Sequence, residues 1–214
     1  MSNDEKLKTS ILDELTWEPS VNPAHIGVTA DNGIVTLSGH VDTFAQKHEA
    51  EAAVRRVKGV KAVAEEIEVR LPFESKRADD QIAAAAVDRL TWDTVVPNTV
   101  KVKVEDGRIT LDGQVDAYFQ KSAARTAVAS LFGVVGVNDQ ITIKSRVDTT
   151  KLGDTIEHAL HRSWFFDPAI SVSAEGGRVH LTGAVNSPYE RQVAAMTAWA
   201  APGATSVQND ILVN

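Results

Sequence analysis

The chain of 214 residues contains no cysteine, which excludes disulfides and thiolate metal sites and leaves the redox compartment open. No apolar run approaches the roughly 20 residues that a membrane-spanning helix needs. The first ten residues are polar and charged, without the apolar stretch of a signal peptide. The expectation is a cytoplasmic protein, periplasmic only if a leader has been removed. Positive charge is also short: 22 Lys and Arg stand against 29 Asp and Glu, a net charge of −7. That balance argues against nucleic acid as a partner, because basic surface is what displaces phosphate counterions. It argues equally against attraction of the whole surface to anionic lipid. A Gly-x-Ser-x-Gly elbow, a phosphate loop and a Gly-x-Gly-x-x-Gly fingerprint are all missing. The acidic pairs Asp79-Asp80 and Glu65-Glu66 lack an apolar pocket to separate their acidities. Neither an enzyme nor a cofactor is expected.

What the chain does have is one pattern written three times. Asn32-Gly33-Ile34-Val35-Thr36-Leu37-Ser38-Gly39-His40-Val41 returns from Asp106 to Val115 and again from Gly176 to Val185. Gly107 and Gly177 stand in the place of Gly33. A further glycine follows each at a fixed offset (Gly59, Gly133, Gly203), and apolar positions keep step beyond it. Self-similarity of this kind means three copies of one small fold, with units expected at 3–72, 77–146 and 149–214. Units this small sit near the lower limit for an independent core, so packing between copies is expected. Charge is shared unevenly: residues 1–74 carry −5, residues 75–147 carry +1 and residues 148–214 carry −3.

Each copy opens with a helical stripe: Leu7, Ile11 and Leu15, then Ile82, Ala86 and Leu90, then Ile156, Leu160 and Trp164. Prolines and strict alternation follow. A two-residue turn comes next, Asn32-Gly33, Asp106-Gly107 or Gly176-Gly177, and predicts a type I′ hairpin. On the returning strand Gly39, Gly113 and Gly183 fall on the inward face, where a missing side chain is expected to admit a helix. A second helix follows, with Ala50, Ala53, Val54 and Val57 forming one stripe and the later copies keeping its spacing. The glycine at Gly59, Gly133 or Gly203 is expected to stop that helix before a last strand. The order is α-β-β-α-β. The fold class is α+β, three tandem domains, each a three-stranded sheet with both helices on one face.

The Leu-x-Gly-x-Val strand, the Ala-rich helix and the Gly-Val-x-x-Val-x-x-x-Ile-x-Val ending at Gly59–Val69 and Gly133–Ile143 resemble the BON domain family. Ala204 departs from this ending, where the other copies have Val60 and Val134. The resemblance implies a non-enzymatic protein that binds phospholipid or a membrane surface, with a part in envelope or osmotic stress. It carries over no catalytic residue. The alternative is a protein-interaction scaffold using sheet faces or edge strands.

Function is expected where the copies disagree. Lys101 and Lys103 alternate with Val100, Val102 and Val104, so both point to the polar face of the middle sheet; the other copies have Gly27 and Thr29, or Ser171 and Ser173. With Arg108 and Trp92 they are the candidate contacts to a phosphate head group. Trp17, Trp92 and Trp164 end equivalent helices. Each is expected to seal its domain's core, the other use being an indole at a membrane interface. Trp199 is expected to fill space left by the alanines of its own helix. His158 and His161 share a helix face but are read as solvated, so no metal is expected. His40 and His180 are read as solvated strand residues.

Overall fold

The computed structural model describes residues 3–144, 147–162 and 170–214. The first unit comprises α1 (Asn3–Trp17), β1 (Ile26–Asp31), β2 (Ile34–Val41), α2 (Phe44–Arg56) and β3 (Ala62–Val69). Strand β2 lies in the middle, antiparallel to β1 and parallel to β3. The second unit comprises α3 (Asp79–Trp92), β4 (Lys101–Glu105), β5 (Arg108–Asp112), β6 (Gln114–Val115), α4 (Tyr118–Ala129), β7 (Gly136–Asp139) and β8 (Thr142–Ile143). Its central strand breaks at Gly113, so β4, β5 and β7 form one sheet and β6 pairs with β8. The third unit is α5 (Leu152–His161), β9 (Ser171–Glu175), β10 (Arg178–Val185), α6 (Pro188–Ala200) and β11 (Ser206–Val213), ordered β11-β10-β9. The architecture is therefore α+β, built from three copies of α-β-β-α-β.

Each unit has its own core. Leu7, Ile11 and Leu15 of α1 meet Val28, Val35 and Leu37 of the sheet and Ala50, Ala53 and Val54 of α2. Ile82, Ala86 and Leu90 repeat the arrangement in the second unit, and Ile156 and Leu160 in the third, where Leu152 starts the stripe one turn earlier. Trp164 and Pro168 lie outside the described residues. A recurrent clasp joins the second helix to the last strand. Lys47 Nζ donates to the Ile67 carbonyl at 2.7 Å, Lys121 Nζ to that of Ile141 at 2.6 Å, and Arg191 to that of Asn209 at 2.7 Å.

The three hairpin turns have the expected positive φ at both central positions. The values are +50° and +85° at Asn32 and Gly33, +49° and +71° at Asp106 and Gly107, and +54° and +86° at Gly176 and Gly177. The second glycine of each turn is also short of space. A Cβ at Gly33, Gly107 or Gly177 would lie 3.0, 2.7 or 2.7 Å from the carbonyl oxygen of Gly59, Gly133 or Gly203. The two landmark glycines of each copy thus pack on one another, at the point where the last strand joins the sheet. There the carbonyls of Gly33, Gly107 and Gly177 accept from the N–H groups of Lys61, Val135 and Thr205 at 2.8, 2.9 and 2.7 Å.

The roles expected of the other glycines need correction. Gly39 does not admit a helix: its φ is +106°, and a Cβ there would overlap the carbonyl oxygen of His25, just before β1. Gly113, at φ +131°, stands in the same relation to the carbonyl of Thr99, and Gly183 shares the conformation at +126°. The close approach comes from the neighbouring chain segment within the sheet layer. Gly59 does not stop α2 either. The helix ends at Arg56 with Val57 already extended, and Gly59 supplies φ +96° in the turn closed by Val60 N–H donating to the Val57 carbonyl at 3.3 Å. Gly133 and Gly203 occupy the same turn at φ +88° and +101°.

The tryptophans also lie elsewhere than expected. Trp17 is 84% exposed and Trp92 is 86% exposed, so neither seals a core. Each lies two residues past the last stripe residue, Leu15 or Leu90. Two residues turn about 200° around a helix, which points the ring away from the core.

The units pack on one another through their second helices. Phe44 of α2 packs against the core of the second unit. Trp199 of α6 is absent from its own core and stacks instead on Tyr118 of α4, with 4.7 Å between ring centroids and 19° between planes. The expectation that Trp199 fills space inside its own unit is thereby overturned; Tyr118 supplies a flat apolar partner from the next unit.

Candidate functional site

The open face of the middle sheet is built by alternation. Val102 and Val104 pack into the core below, so Lys101 and Lys103 of the edge strand β4 face outward and are exposed. Register then decides their electrostatics. Lys101 lies opposite Asp112, Lys103 opposite Thr110 and Arg108 opposite Glu105. Lys103 Nζ is 2.9 Å from Glu105 Oε1 along its own strand. Three candidate cations therefore share one face, each with an acid across the strand or two residues along it. Exposed pairs of this kind hold little energy and leave little net field. Trp92 ends α3, in the helical layer on the other side of the sheet. The structure thus groups Lys101, Lys103 and Arg108 and leaves Trp92 apart from them.

A larger feature lies where the units meet. Helices α2, α4 and α6, with the end of α3, enclose an open groove of about 1290 Å³. The Tyr118–Trp199 stack forms part of its wall. Phe119 and Met196 reach into it while 62% and 52% exposed. The shared repeat pattern does not mark this groove: Gly203 and Ala127 line it at repeated positions, but its aromatic wall comes from positions where the copies differ. Equivalent places hold Phe44, Tyr118 and Pro188, or Arg55, Ala129 and Trp199. That divergence on the outer faces of three otherwise matching helices is the signal that could have located it.

The remaining polar groups make local pairs. His25 and His40 stack with centroids 4.6 Å apart. His180 Nε2 is 2.8 Å from Asp210 Oδ2, which also accepts from Gln208 at 2.7 Å. The hydrogen bond with His180, foremost, holds the Asp210 carboxyl below its usual range. Glu18 is likewise lowered, first by the Ser20 hydroxyl at 2.9 Å and then by Arg56, whose guanidinium also meets Glu14. His158 and His161 lie exposed on α5. Among the described residues, no cluster of three His, Asp or Glu is placed to hold a metal, and no helix is long and apolar enough to cross a membrane.

Three small two-layer units in series, each repeating one helix–hairpin–helix–strand plan, define a tandem-domain protein. The model of the BON domain matches residues 3–70, 78–145 and 148–214, and the chain belongs to the BON domain family. It is 30% identical over 144 residues to Osmotically-inducible protein Y of Escherichia coli (strain K12), an alignment covering 65% of this chain and 70% of that protein. Two solved structures of CdsD, a structural protein of the type III secretion system of Chlamydia trachomatis, also match. Each is 17% identical. The one of the C-terminal domain has a TM-score of 0.26 with all of both chains covered. The other has a TM-score of 0.28, with 98% of this chain and 92% of that one covered.

Proposed function

We propose that the protein is a stress-associated, non-enzymatic binding protein that engages phospholipid at a membrane surface. The stress association rests on its similarity to Osmotically-inducible protein Y. The observation that carries the membrane reading is the exposure of Trp17 and Trp92 at equivalent helix ends of two units. A single exposed indole is ordinary on a protein surface. The same ring presented twice, by the same element, suits the headgroup region, where an indole keeps its apolar body and its N–H both satisfied. Lys101, Lys103 and Arg108 add a minor electrostatic share, because acids flank each of them.

This chemistry makes a distinctive demand. Indole insertion is nearly independent of salt, whereas lysine–phosphate attraction is screened by it. Flotation with zwitterionic and with anionic vesicles, at low and high salt, tests the reading. Recovery with zwitterionic vesicles that persists at high salt is expected. No recovery with either lipid at low salt removes the proposal.

A scaffold reading draws support from one feature, the edge strand β11 with Leu212 exposed on its outer side. Capture of a stoichiometric protein partner, abolished by edge-strand substitutions and insensitive to lipid, would favour it.

A further inference from the structure

The groove between α2, α4 and α6 has two properties that together specify a ligand. Its wall is apolar and aromatic, from Phe44, Tyr118, Phe119, Met196 and Trp199. At about 1290 Å³ and open to solvent, it has room for an occupant larger than the ligands of ordinary small-molecule pockets of roughly 300–1,000 Å³. Charge of both signs joins the lining: Arg89 and Arg125 on one side of the balance, Glu49, Asp93 and Asp116 on the other. Among the described residues, neither guanidinium makes an ion pair or a side-chain hydrogen bond, in contrast to Arg55, Arg56 and Arg70. Position matters here. Glu51 of α2 pairs with Arg55 one turn on, but the equivalent place on α4 is Arg125, with Ala129 one turn on.

Two unpaired guanidinium groups disfavour a purely cationic occupant. Three carboxylates and a net charge of −7 disfavour a purely anionic one. A ligand carrying a phosphate and an ammonium on one apolar chain answers both conditions. We propose that this groove binds one molecule of a zwitterionic monoacyl amphiphile, its chain along the aromatic wall and its phosphate on Arg89 and Arg125. The ligand class rests on the lipid reading above; the site is separate from the exposed indoles.

The test measures binding of the full chain to palmitoyl lysophosphatidylethanolamine, palmitate and hexadecyl maltoside, each below its micelle concentration, by equilibrium dialysis. The lysophospholipid is expected to bind at least about tenfold more tightly than the maltoside. Arg89→Gln with Arg125→Gln should erase that difference. Phe119→Asp with Met196→Asp, at exposed positions where folding tolerates change, should weaken every ligand by about tenfold or more. Equal binding of lysophospholipid and maltoside by the unaltered chain, preference for palmitate, or no binding at all overturns the proposal. So does a concentration-dependent dimer that Phe119→Asp with Met196→Asp dissolves, since the occupant is then a second copy. Absence of vesicle recovery by the unaltered chain, with binding of the dispersed lysophospholipid intact, would sink the membrane reading alone. The reverse would sink the groove alone.

Discussion

Trp199 stacks on Tyr118 across the boundary between the third and second units, with ring centroids 4.7 Å apart. Offset stacking of this kind contributes about 0.5–1.5 kcal/mol beyond the area it buries. A double-mutant cycle of Tyr118→Ala and Trp199→Ala should return a coupling in that range, read from thermal melts of the full chain. The two single variants should also make the chain more susceptible to limited proteolysis between the units. Additive effects within a few tenths of a kcal/mol would mean that the two rings do not hold the units together.

Glycine substitutions separate backbone need from mere tolerance. Gly39→Ala places a Cβ against the His25 carbonyl at a φ of +106° and should cost about 3 kcal/mol or more. Gly153→Ala, in the first turn of α5, meets nothing nearer than the Ala174 methyl at 3.8 Å. It should stabilise the chain by about 0.5 kcal/mol through helix propensity. Melts followed by far-ultraviolet circular dichroism check both. Equal behaviour of the two variants would contradict the structural reading of Gly39.

The Glu18 carboxyl is held below the usual glutamate range, first by the Ser20 hydroxyl and then by Arg56 of the adjoining helix. A lowered folded pKa stabilises the fold above the unfolded value. That share is complete above an ordinary glutamate pKa of about 4.3 and is lost as the pH falls through the lower folded value. Glu18→Gln should therefore flatten the acid limb of the melting temperature against pH and leave its slope near neutrality unchanged. An acid limb identical to that of the unaltered chain would remove Glu18 from the account.

Much of the fold is legible in the sequence because apolar periodicity reports burial directly. Spacing alone places Leu7, Ile11 and Leu15, or Ala50, Ala53 and Val54, inward. Residue types alone identify the turns at Gly33, Gly107 and Gly177. Other glycines are legible as necessary but not in their reason, since Gly39 answers to a carbonyl 14 residues away in sequence. Size sends Trp17 and Trp92 inward, although their two-residue offset from the stripe points the other way. Alternation turns Lys101 and Lys103 outward, yet the acids opposite them depend on strand register. The groove is hidden for a different reason. It arises from packing between units, which leaves no period in the sequence, only differences between the copies on the outer faces of matching helices.

Flotation of a Trp17→Ala, Trp92→Ala double variant with zwitterionic vesicles at high salt tests membrane engagement by the indoles most directly. Both rings are exposed, so the variant should melt within about 0.5 kcal/mol of the unaltered chain. Recovery that falls by about tenfold or more, with the melt preserved, is the predicted result. Undiminished recovery of the folded double variant would contradict it.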